Sequence, residues 1–220
     1  MRKMHASVAV LALLAVAPVA AAQEAPVPAP ADGTRLIFGP TARTLPKGQV
    51  YFGVYEFLMP FVQVGVTDRF SIGGGTPLFF GIDESHRPFW ITPKVQIIHH
   101  EGTDVAAGAI HVANLDGGGA GVGYLVMTHG GDAGSFTAGA GLAYTSDGGR
   151  APVVMVGGER QMRPGLRFIT ENYVWKNGQG LATGGVRFFS DRLSADVGLG
   201  VPVGLGELFA FPVINFVYRF

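Results

Sequence analysis

The 220-residue sequence has no cysteine, which excludes a disulfide framework, a thiolate metal site, a cysteine nucleophile and the lipidated cysteine of a lipoprotein. Charge is scarce at 15% and balanced, 16 basic against 16 acidic side chains. A nucleic-acid partner, which calls for a basic excess, is therefore not expected. Lys and Glu are too few, and 34 glycines too many, for a water-facing helical bundle. Beyond residue 33 no apolar run of ~20 residues is free of glycine clusters or charges, so no transmembrane helix follows the N-terminal region. Chemical signatures are missing too. Neither Gly-x-Ser-x-Gly nor His-Glu-x-x-His occurs, and the runs Gly73-Gly74-Gly75 and Gly117-Gly118-Gly119 lack the Lys-Ser/Thr ending of a phosphate loop.

What is present begins with a leader. Arg2 and Lys3 precede an uncharged stretch from Ala6 to Val19 and then Ala20-Ala21-Ala22, the order of a secretory signal with cleavage expected after Ala22. Residues 23–33, with Pro26, Pro28 and Pro30, read as an extended periplasmic tether. Residues 34–220 then read as the barrel.

The remaining chain divides at turn signals into about twelve segments of the ~10-residue length of tilted membrane strands. They are Gln49 to Leu58, Phe61 to Thr67, Phe70 to Thr76, Phe89 to His99, Asp104 to Ala113, Gly119 to Thr128, Gly134 to Tyr144, Ala151 to Arg160, Gly165 to Trp175, Gly180 to Phe189, Leu193 to Gly200 and Phe211 to Phe220. Several alternate strictly. Ile214, Phe216, Tyr218 and Phe220 share one face while Asn215 and Arg219 share the other, and a one-residue slip would push the arginine into hydrocarbon. The same test puts Val62, Val64 and Val66 outside with Gln63 inside, and Val197 and Leu199 outside with Asp196 inside. Connector lengths agree: Asp68-Arg69 and Ser190-Asp191 are tight, Pro77 to Pro88 and Val201 to Ala210 are long, as periplasmic turns and extracellular loops should be. The fold expected is all-β, an antiparallel up-and-down transmembrane barrel with short loops in a Gram-negative outer membrane. A soluble barrel or sandwich is the rival, but its water-facing side should carry many Lys and Glu.

Strand parity predicts an inward charged set of Glu56, Lys94, Glu159, Arg167, Glu171, Arg187, Asp196 and Arg219. It reads either as a neutralised structural cluster or as a constriction for ions and small solutes. Gly73, Gly75, Gly119, Gly121, Gly123, Gly139 and Gly141 are also expected on the lumen side. His99-His100-Glu101 reads as a wet turn, because adjacent strand residues point to opposite faces and cannot easily grip one metal ion. No catalytic residue, metal site or cofactor is expected. The aromatic C-terminal strand, through Tyr218 and Phe220, reads as the signal to the barrel-insertion machinery.

Phe38-Gly39-Pro40-Thr41-Ala42-Arg43-Thr44-Leu45-Pro46-Lys47-Gly48, Tyr51, and Gly65-Val66-Thr67-Asp68-Arg69-Phe70-Ser71-Ile72-Gly73-Gly74-Gly75 together resemble a group of uncharacterised bacterial outer-membrane barrel proteins. Glu171-Asn172-Tyr173 and Gly184-Gly185-Val186-Arg187-Phe188 extend the likeness over most of the chain. The resemblance implies location and fold and transfers no functional residue. By residues alone, Pro40 and Pro46 with Lys47-Gly48 suit a turn leading into the first strand. Function is then expected to be a narrow, porin-like channel or passive pore for small solutes, not an enzyme. The alternatives are an envelope-integrity barrel with a plugged lumen and, least favoured, a lipid-modifying enzyme. Membrane lipid, the insertion machinery and small solutes are the expected partners.

Overall fold

The computed structural model describes residues 33–78, 87–114, 117–175, 178–204, 206 and 209–220. The expected leader (1–22), and the expected tether except Gly33, lie outside the described residues.

The described strands are β1 (Val50–Tyr55), β2 (Met59–Thr67), β3 (Phe70–Gly75), β4 (Phe89–Ile91), β5 (Lys94–His100), β6 (Thr103–Ala113), β7 (Gly119–Gly131), β8 (Gly134–Thr145), β9 (Arg150–Arg163), β10 (Leu166–Val174), β11 (Gly180–Phe189), β12 (Leu193–Val203) and β13 (Phe211–Arg219). β4 and β5 are two halves of one barrel strand, both pairing with β3 on one side and β6 on the other. Pro93 causes the break, since it has no N–H to give the ladder. The register is carried across by Thr92 N–H on Gly73 O (2.8 Å) and Ala109 N–H on Pro93 O (3.0 Å). Every other strand pairs antiparallel with its sequence neighbours, and β1 closes on β13 from Tyr51↔Arg219 to Tyr55↔Asn215. The result is a closed barrel of 12 antiparallel strands, as the turn signals predict.

Connectors sort by end. Residues 68–69, 101–102, 132–133, 164–165 and 190–192 form tight turns at one end; the connectors 76–88, 114–118, 146–149, 175–179 and 204–210, together with the short turn 56–58, join strands at the other. In the turn at 101–102, Glu101 (φ 44°) and Gly102 (φ 75°) are two consecutive left-handed residues, which match the twist of a two-residue hairpin.

The alternation read from sequence decides which face meets lipid. Val62, Val95, Leu125, Phe136, Val154, Phe168, Phe188, Val197 and Phe216 are exposed around the circumference. Gln63, Lys94, Thr128, Thr137, Glu159, Arg167, Arg187, Asp196 and Asn215 are buried inside. Such a belt of exposed apolar side chains would be an aggregating surface in water and is what a bilayer core solvates. A bulge between Gln96 and Ile98 leaves Ile97 and Ile98 both exposed and turns His99 back toward Asp104.

One segment read as lead-in to the barrel is placed differently. The chain from Thr34 to Leu45 does not approach β1 along the wall; Leu36, Ile37, Ala42 and Leu45 are buried within the lumen. The Pro46–Gln49 turn (Gln49 N–H on Pro46 O, 3.1 Å) then delivers the chain to β1 as expected.

Candidate functional site

The inserted segment is a short hairpin. Leu36 N–H donates to Gly39 O at 2.9 Å, Thr41 N–H donates to Thr34 O at 3.0 Å, and Arg35 bridges Pro40. A hairpin this small satisfies few of its own backbone groups, and in a dry lumen each unsatisfied one is costly, so the wall must supply partners. At the tip, the N–H groups of Ile37 (2.8 Å), Phe38 (3.0 Å) and Gly39 (3.0 Å) all point at the carboxylate of Glu171 on β10. The Tyr173 hydroxyl donates to the same carboxylate at 2.7 Å. Three successive amides converge on one carboxylate, a nest of backbone donors.

The hairpin carbonyls are met by cations and amides. Arg187 Nη2 donates to Leu36 O at 2.6 Å, and Asn215 Nδ2 to Ile37 O at 3.1 Å. Lys94 Nζ donates to Thr34 O (2.9 Å) and Thr41 O (3.0 Å). Ala42 N–H reaches the Thr128 hydroxyl at 2.9 Å, which is itself bonded to that of Thr137. Apolar contacts fill between these: Leu36 and Ile37 pack on Ile169 and Val213, Ala42 on Ala106, Val126 and Met155, and Leu45 on Tyr51, Phe61 and Val217. Gly39 is required by this closeness, since a Cβ there would collide with the Tyr173 hydroxyl and lie 2.7 Å from Met155 Sδ.

Around the hairpin the interior charges pair. Asp196 takes Arg187 Nε on Oδ1 at 2.6 Å and Arg35 Nη1 on Oδ2 at 2.9 Å. Glu159 takes Arg167 Nη1 at 2.8 Å. Arg43 lies 3.5 Å from Asp104 and 3.9 Å from Glu159. Of the eight charged residues expected in the lumen, Lys94, Glu159, Arg167, Glu171, Arg187 and Asp196 are buried there. The other two are not brought to this group. Glu56 sits past the end of β1 in a left-handed turn (φ 48°), where strand parity no longer applies, and its carboxylate receives Ile214 N–H at 3.2 Å. Arg219 lies at the tight-turn end, its guanidinium on Asp191 O at 2.5 Å. Parity missed Arg35, Arg43 and Asp104. The first two ride on the hairpin and so have no strand face to read; the flanking Leu36-Ile37-Phe38 is the signal that Arg35 enters an apolar interior.

The glycine assignment needs one correction. Gly73 faces inward beside Gln63, and Gly139 and Gly141 share the inner face with Thr137. Gly119, Gly121 and Gly123 face outward. Their register partners Tyr144 and Leu142 stand on the outer face, while Val126 and Thr128 of the same strand are buried inside. On the outer surface, Gly121 leaves space for His111 Nδ1 to meet the Tyr144 hydroxyl at 2.9 Å across it. His99 bonds Asp104 Oδ1 at 2.6 Å with its ring exposed to solvent. Tyr218 and Phe220 meet edge to face on the outer side at the tight-turn end, centroids 5.3 Å apart.

Beside the hairpin, the space between Tyr55, Trp90, Lys94 and Tyr124 is a cavity of about 50 Å³, room for no more than a few waters.

No family model matches the chain, and no curated protein sequence matches it. Solved structures share its architecture. KdgM porin aligns over 78% of this chain and 98% of its own at 7% identity and a TM-score of 0.58. KdgM porin in complex with disordered oligogalacturonate aligns over the same shares at 7% identity and a TM-score of 0.57. The common feature is the fold, a closed antiparallel barrel; with the apolar belt of this chain it is the architecture of the bacterial outer membrane.

Proposed function

We propose that this chain is an outer-membrane barrel whose own hairpin, Thr34–Leu45, is a plug, so that the resting protein does not conduct small solutes. The observation that carries the reading is the fully buried Glu171 carboxylate, closed over by three hairpin amides. A solute passing this level would have to strip an anion of its donors, each hydrogen bond to a charged group being worth about 1.5–3 kcal/mol. The interior charges act as structural ties between plug and wall, and no reaction is assigned to the chain.

Planar-bilayer recording tests this. The purified protein should show no steps of conductance, and deletion of residues 34–45 should produce them. Steady conductance by the intact chain, unaltered by that deletion, overturns the plug and favours a second reading, a constitutively open narrow channel. The fold shared with KdgM porin favours that second reading.

A further inference from the structure

The lumen changes character along its axis. Its charges gather around the hairpin, whereas at the long-loop end the inner wall from β6 to β9 is apolar, the reverse of the polar lining usual for membrane barrels. Ile110, Val112, Ala120, Val122, Ala143 and Ala151 border an open chamber of about 440 Å³, with Thr145, whose hydroxyl is already bonded to Asp147, at the end of β8 beside them. Arg150 also borders it, but pairs with Tyr144 and so belongs to the outer face. Below, Ile110 and Val122 continue into a second apolar space of about 90 Å³, floored by Pro40, Tyr124, Met155 and Tyr173. Tyr124 is the polar element of that floor not already engaged by the plug. Its hydroxyl lies over Gly108, and among the described residues no hydrogen bond reaches it.

From this arrangement we infer that the loop-end chamber is a binding site for a neutral, largely apolar small molecule bearing one hydrogen-bonding group, which enters from the loop side and stops at Tyr124. Volume and lining fit that class: small-molecule sites are concave, mainly apolar and carry a few placed polar groups. Ions and sugars would exchange water for hydrocarbon here and gain no partner. The inference goes beyond the plug reading, because the 440 Å³ chamber is bordered by β6 to β9 and their connectors, and only the smaller space below it, through Pro40, touches the hairpin.

The test uses the full chain in phosphatidylcholine nanodiscs with the neutral probe N-phenyl-1-naphthylamine and its anionic relative 8-anilinonaphthalene-1-sulfonate. The neutral probe should bind saturably above empty nanodiscs and more tightly than the sulfonate. Ala143→Phe, which fills the chamber, should weaken it by about tenfold or more. Leu142→Phe, the next residue on the opposite face, should leave binding unchanged. Ala120→Trp at the rim gives an independent block should Ala143→Phe fail to fold. The proposal is overturned if the protein binds no more probe than empty discs, if the sulfonate binds as tightly, or if Leu142→Phe weakens binding as much as the chamber variants. Bilayer conductance reports the plug and probe binding reports the chamber, so failure of one is distinguishable from failure of the other.

Discussion

Glu171 holds Gly39 through both of its carboxylate oxygens, each 3.0 Å from the glycine amide nitrogen. One residue comes from the middle of β10 and the other from the hairpin that precedes every strand, so this contact ties the plug tip to the wall. Glu171→Gln keeps the volume but removes the charge, and should cost about 2 kcal/mol of stability. Glu171→Ala also leaves the amides without an acceptor and should cost about 3 kcal/mol or more. Urea unfolding in lipid vesicles measures both losses. On the plug reading, both variants should also show intermittent conductance.

Asp196 sits between two guanidiniums, and removing either side has unequal consequences. Asp196→Ala leaves Arg187 and Arg35 buried without their shared counter-ion and should cost about 3–5 kcal/mol. Arg187→Ala should cost less, because Arg35 remains to neutralise the carboxylate. In a double-mutant cycle, the Asp196→Ala/Arg187→Ala protein should lose less than the two single losses combined. Additive losses would show that the pair is not coupled.

Two glycines, Gly65 of β2 and Gly123 of β7, should respond oppositely. A Cβ at Gly65 would press into the backbone carbonyls of Pro46 and Leu45, where the plug leaves the lumen. Gly65→Ala should therefore destabilise by about 1–3 kcal/mol. Gly123 faces lipid with nothing within 4 Å of the added methyl. Gly123→Ala should be neutral or stabilising by about 0.5 kcal/mol through reduced chain entropy. Parallel urea titrations of the two variants decide it.

Tyr218 and Phe220 lie together on the outer face at the chain's end, and we propose that they are what the insertion machinery engages. Deletion of Phe220 should lower the fraction of folded, membrane-inserted protein in cells while leaving spontaneous refolding into thin detergent-destabilised vesicles nearly unchanged. Equal impairment in both would assign the residue to stability alone.

The wall was legible in the sequence because its signal is local. Val62, Gln63 and Val64, or Val197 and Asp196, declare their faces by adjacency, whereas the turn read at His99-His100-Glu101 falls at Glu101-Gly102, with His99 and His100 in β5. Parity therefore located Arg167, Glu171, Arg187 and Asp196 without any knowledge of what they would touch. The plug was not legible, because Arg35 to Thr41 has no period to read, and its burial depends on Glu171, Arg187 and Asn215, far away in sequence. Gly119, Gly121 and Gly123 were placed on the wrong face for a related reason. Their inner neighbours Ala120 and Val122 are apolar and border the loop-end chamber, so the usual rule of polar inside and apolar outside runs backwards there.

Pro46 to Gln49 is all that separates the end of the hairpin from β1, and β1 closes on β13. Two of the groups that grip the hairpin, Asn215 and Asp196, lie on β13 and β12, the strands that close the barrel. Sealing the seam and seating the hairpin are therefore coupled: until β12 and β13 are in place, the hairpin has only the part of its cradle that Lys94, Thr128, Glu171 and Arg187 provide.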